Sequence, residues 1–147
     1  MKSVLFLCTG NSCRSILAEA YLTHAGKHAG KGAWRGFSAG STPTGTVHPM
    51  ALETLAAHGI EAAGATSTSW DDFGGAQARQ MDFVITVCDN AAGEACPVWP
   101  GLPVTDHWPF PDPAKFDGDE EATRAHFNEV FAMIKARIDA FLVGQSA

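Results

Sequence analysis

The sequence predicts an α/β fold, a parallel sheet with helices on both faces. Three observations carry this expectation. Short apolar runs alternate with segments of helical periodicity along the chain. The runs KSVLFL and DFVITV are nearly continuously apolar, as strands buried on both faces must be. Polar, cysteine-containing loops follow those runs directly, where a parallel sheet places its ligand-binding edge.

The elements follow in order. Residues 2–7 read as a buried first strand, and residues 8–14 as a polar loop. A helix is expected over 15–28. Gly30, Gly32 and Gly36 loosen the connection after it, and 34–39 reads as a second strand closed by Gly40. Pro49 suits a first helical position, MALETLAAH forms the body, and Gly59 suits the C-terminal cap. A short helix is expected near Ser69, with Asp71 and Asp72 in its first turn. Residues 82–87 are β-branched and aromatic, giving a third strand. Residues 89–101 read as a loop, and 102–108 as a shorter fourth strand. The last helix is expected over 119–142. Its Phe127, Val130, Phe131, Ile134, Ile138, Phe141 and Leu142 recur at three-and-four spacing.

Length and composition narrow the class. The 147 residues suit one domain, 1–147, and 46% apolar with 18% charged residues excludes a disordered chain. No apolar run approaches the ~20 residues of a membrane span. The opening MKSVLFL begins like a signal peptide. Its apolar stretch ends at Cys8 and Thr9, shorter than the ~7–15 residues an export signal needs. A cytoplasmic protein is expected. The net charge of −6 gives no general attraction to nucleic acid or to an anionic membrane, so neither is an expected partner.

The four cysteines, 8, 13, 88 and 96, are the informative residues. In a cytosolic chain such cysteines are free, metal-bound or catalytic more often than structural disulfides. Cys8-Thr9-Gly10-Asn11-Ser12-Cys13-Arg14-Ser15 lies between a strand and a helix, where backbone N–H groups converge on an anion. Arg14 offers a planar fork to two oxygens of that anion. The same positive environment stabilises a Cys8 thiolate as nucleophile, and Ser15 can donate a hydrogen bond to it. Thr9, Gly10, Asn11, Ser12, Cys13 and Arg14 are the expected oxyanion-binding residues. Cys13 is expected to pack beneath the loop. The Cys-x5-Arg spacing alone is weak; its place after a strand and before a helix gives it weight. By position alone Cys88 and Cys96 are equally well two unrelated thiols, one at a strand end and one in a loop.

CTGNSCRS, AEA, FSAG, VITVCDNAAGEACPVWPG and HWPFPDPA together resemble the low-molecular-weight protein tyrosine phosphatase superfamily, and more closely its arsenate reductase branch. The resemblance covers nearly the whole chain. It implies a four-stranded parallel sheet of flavodoxin-like layout, with the Cys-x5-Arg loop as oxyanion site. It assigns the cysteines as a relay. Cys8 forms the arsenate adduct, Cys88 attacks it, and Cys96 resolves the Cys8–Cys88 disulfide. The small residues between Cys88 and Cys96 suit a segment that moves. Gram-positive members of the branch separate these two cysteines by six residues, and this chain by seven.

The resemblance also makes Asp112, in Asp112-Pro113, the general acid. On sequence alone an Asp-Pro pair is a plain turn. Glu19, Ser38 and Thr66 match positions that hold Asn11 or bind potassium. The potassium-binding members carry a carboxylate two residues beyond the threonine, where this chain has Thr68, so no metal is expected. No tightly bound cofactor is expected either, only an external thiol reductant: thioredoxin, or glutaredoxin with glutathione. Phosphate and sulfate would compete with arsenate.

Two other readings compete with this one. A phosphotyrosine phosphatase would use the same loop, but that branch carries an aromatic residue after the acid. Here Ala114 and Lys115 follow Pro113, and the single tyrosine is Tyr21. A structural zinc site is disfavoured by the wide Cys88–Cys96 spacing and by Arg14. The His24–His28 pair, four apart, reads as a solvated helix face without a third ligand.

Overall fold

The structure is a computed structural model that describes residues 2–8, 13–28, 34–40, 45–60, 67, 82–87, 104–108, 110 and 118–144. The described elements are β1 (Lys2–Leu7), α1 (Arg14–His28), β2 (Trp34–Ala39), α2 (Pro49–Ala57), β3 (Phe83–Thr86), β4 (Val104–His107) and α3 (Glu120–Gly144). The short helix expected near Ser69 lies outside the described residues.

The four strands form one sheet, all parallel, in the order β2-β1-β3-β4. β1 is central, with Leu5 level with Phe37 on one side and with Val84 on the other. Its side chains from Ser3 to Leu7 are buried. That explains why KSVLFL does not alternate: a central strand covered on both faces has no polar side.

Both faces of the sheet are covered. One carries Val4, Phe6 and Ile85, packed with Ile16 and Leu22 of α1, Leu55 of α2 and Phe127 and Phe131 of α3. The other carries Leu5, Leu7, Ala39 and Val84, all 3% exposed or less. Each buried Val, Leu, Ile or Phe among them contributes roughly 1.5–3 kcal/mol relative to exposure.

The helices begin and end where the local chemistry directs. The Asp119 carboxylate accepts the Ala122 N–H at 2.7 Å, and Glu120 and Glu121 occupy the favourable first turn of α3. Five of the seven periodic residues of α3, Phe127 to Ile138, are buried, and Phe141 and Leu142 are half-buried at the core margin. α2 starts with Pro49 behind the cap His48, whose Nδ1 accepts the Met50 N–H at 3.1 Å. Gly59, just past its end, has φ of +71°, a left-handed conformation that costs glycine nothing.

One detail differs from expectation. Gly36 lies inside β2, not in the connection before it. A Cβ there would stand 2.6 Å from the Glu19 carbonyl oxygen of α1, so glycine permits the close approach of helix and strand. Thr23 secures the contact: its hydroxyl donates to the Glu19 carbonyl and accepts the Gly36 N–H, both at 2.9 Å.

Candidate active site

The C-terminal edge of the sheet brings three chain segments together. Cys8 directly follows β1, is 3% exposed, and donates its N–H to the Ala39 carbonyl at 3.1 Å. The Val87 N–H donates to the Leu7 carbonyl at 2.8 Å, so the residue before Cys88 is bonded to the residue before Cys8. β4 is continued past its end. The Trp108 N–H donates to Thr86 at 2.7 Å, and the Phe110 N–H to the Val87 carbonyl at 3.2 Å.

Arg14 opens α1 and crosses to this third segment. Its Nη1 donates to the Phe110 carbonyl at 3.1 Å, two residues before Asp112. Cys13 and Ser15 are buried on either side of it. The Cys13 carbonyl accepts the Leu17 N–H at 2.8 Å and so belongs to the first turn of the helix. The structure thus places Cys8, Cys13, Arg14 and Ser15 at the junction of β1 and α1. Thr9, Gly10, Asn11, Ser12, Cys88, Cys96 and Asp112 lie outside the described residues, as do Thr66 and Thr68.

Glu19 sits one turn further along α1. Burial raises its carboxyl from 4.5 to about 7, against the lowering effects of the Ser38 hydrogen bonds and the nearby Arg35 charge. A glutamate between Ala18 and Ala20, both buried, is a signal that a helical projection of the sequence contains. The Phe110 carbonyl on Arg14 had no such signal, because a main-chain acceptor is independent of side-chain identity. Among the described residues no group of three or more His, Cys, Asp or Glu side chains gathers as metal ligands. Nor, among them, is any helix long and apolar enough to cross a membrane.

Fold and edge together define a parallel α/β protein whose Cys-x5-Arg segment joins the central strand to a helix, with Val87 after β3 bonded to Leu7 and Phe110 after β4 bonded to Arg14. The chain belongs to the low molecular weight phosphotyrosine protein phosphatase family, whose model matches residues 3–146. Among its curated relatives is an arsenate reductase of Bacillus licheniformis, 40% identical over 141 residues, which are 95% of this chain and 94% of that protein. The arsenate reductase of Bacillus subtilis is 36% identical over 140 residues, 95% of this chain and 94% of that one.

Solved structures agree. An arsenate reductase in a phosphate-binding state aligns with TM-score 0.71 and 30% identity, covering 98% of each chain. A thioredoxin-dependent arsenate reductase of Corynebacterium glutamicum aligns with TM-score 0.68 and 26% identity over 98% of this chain and 61% of that one. A low molecular weight protein tyrosine phosphatase of T. tengcongensis, at 20% identity and TM-score 0.75 over 98% of this chain and 99% of that one, shares the fold. The three-layer α/β class expected from the sequence is the class of this family.

Proposed function

We propose that the chain, acting as a single domain in the cytoplasm, reduces arsenate to arsenite. The observation that carries this reading is the bond between Val87 and Leu7, which holds the chain leading to Cys88 against the chain leading to Cys8. A phosphatase needs one nucleophilic cysteine. A second thiol on the adjacent strand end serves a reaction in which the oxyanion's central atom accepts electrons. The relatives named arsenate reductase, 35–40% identical over 95% of the chain, support the same choice.

The chemistry runs in three steps. The Cys8 thiolate attacks arsenic, and an oxygen leaves as water with a proton from Asp112. Thr9 to Cys13 present N–H groups to the remaining oxygens, with Arg14 as a fork. Ser15 hydrogen-bonds the Cys8 sulfur. The Cys88 thiolate then attacks the Cys8 sulfur. The sulfur–arsenic bonding pair passes to arsenic, giving arsenite and a Cys8–Cys88 disulfide. Cys96 attacks Cys88 and frees Cys8, leaving Cys88–Cys96 for an external dithiol to reduce. The thioredoxin dependence of the C. glutamicum protein supports thioredoxin in that role; glutaredoxin with glutathione is the alternative. No tightly bound cofactor is required. Phosphate and sulfate compete for the oxyanion loop.

Thiol titration after arsenate is added, without reductant, tests this reading. Loss of two thiols per chain is expected. Retention of every thiol, with hydrolysis of an aryl phosphate, would instead make the protein a phosphatase.

A further inference from the structure

We infer that the main chain of Phe110 is a positioning element for Arg14: it fixes the orientation of the guanidinium before any oxyanion arrives. The inference rests on the oxyanion role proposed for Arg14.

Four observations carry it. The Phe110 carbonyl accepts Nη1 of Arg14 at 3.1 Å across 96 residues of sequence. The Phe110 N–H is itself held by the Val87 carbonyl at 3.2 Å, so that carbonyl is fixed to the sheet. Its half-buried ring packs against the main core cluster. Residue 111 is proline, which restricts the backbone of Phe110 to extended conformations and narrows where its carbonyl can point.

The physical consequence follows from entropy. An arginine side chain loses rotamer freedom when it closes on a ligand. One N–H spent on a fixed carbonyl confines the guanidinium plane. The aim is therefore set during folding rather than during binding. The same chain of bonds, Val87 to Phe110 to Arg14, ties the clamp to the residue before Cys88.

The test uses the reduced full-length protein and inorganic phosphate as probe. Phe110→Gly removes the ring anchor and frees the backbone while keeping the carbonyl. It should weaken phosphate binding by roughly ten-fold, the scale of one charge-assisted hydrogen bond. Phe110→Leu, which restores an apolar anchor, should recover most of the affinity. In the parent, ¹⁵N spectra of Arg14 should show two distinct Nη signals from hindered rotation, merging in Phe110→Gly. A merely structural loss would lower stability without merging them. Unchanged phosphate affinity in Phe110→Gly overturns the inference. So does a single averaged Nη signal in the parent, a measurement that needs no variant to fold. Absence of phosphate binding by the parent is distinguishable from both, and overturns the oxyanion reading together with this inference.

Discussion

At the scale of single residues, the proposed chemistry rests on few atoms. In the proposed mechanism Cys8→Ser removes the nucleophile, and Arg14→Ala removes the charge offered to the oxyanion. Both should abolish steady-state arsenate turnover, since loss of one transition-state charge partner commonly costs on the order of 10²–10³ in rate. Arsenite release measured against the parent checks this. Near-normal turnover in Cys8→Ser would remove the mechanism's first step. Glu19 supports a different prediction. Its folded carboxyl titrates at about 7, above the ordinary 4.5. Between those values the unfolded chain has released its proton and the folded chain has not. Its stabilising effect is therefore complete below about pH 4.5 and declines as pH rises to about 7. Glu19→Gln should flatten that decline. Melting temperatures of both proteins at pH 5 and pH 8 measure it, and an equal pH dependence in the two would contradict the assignment.

At the scale of elements, the sequence was most legible where burial is continuous or periodic. β1 and β2 match the expected ranges, and α1 and α3 begin and end within two residues of them. The periodic residues of α3 all pack in or against one cluster. Gly36 is ambiguous in the sequence because glycine signals both a loose connection and a close approach, and only the partner backbone decides between them. Gly36→Ala puts a methyl group 2.6 Å from a main-chain oxygen, which cannot yield as a flexible side chain would. We expect a loss of about 1–3 kcal/mol in denaturant unfolding, the usual range for overpacking. A change under about 0.5 kcal/mol would mean that α1 can shift off β2 freely. The candidate site was legible only in its side chains, Cys8, Arg14 and Ser15; the main-chain bonds beside them, at Phe110 and Val87, leave no mark in the sequence. Glu19 was legible as a residue of α1 but not as a carboxyl of raised pKa, because that shift depends on how completely its surroundings bury it.

At the scale of the whole molecule, topology does the assembling. The order β2-β1-β3-β4 sets β3 beside β1, so the chain leading to Cys88 runs beside the chain leading to Cys8 although the two cysteines are 80 positions apart. The third strand of that edge, β4, delivers the segment that bonds Arg14. The central claim is that the thiols act in sequence, and disulfide mapping by mass after one arsenate addition without reductant tests it most directly. The parent should release about one arsenite per chain and accumulate Cys88–Cys96. Cys96→Ser should release about one arsenite and stop at Cys8–Cys88, and Cys88→Ser should release none. Repeated turnover by Cys96→Ser with thioredoxin alone, or arsenite release by Cys88→Ser, would contradict the relay.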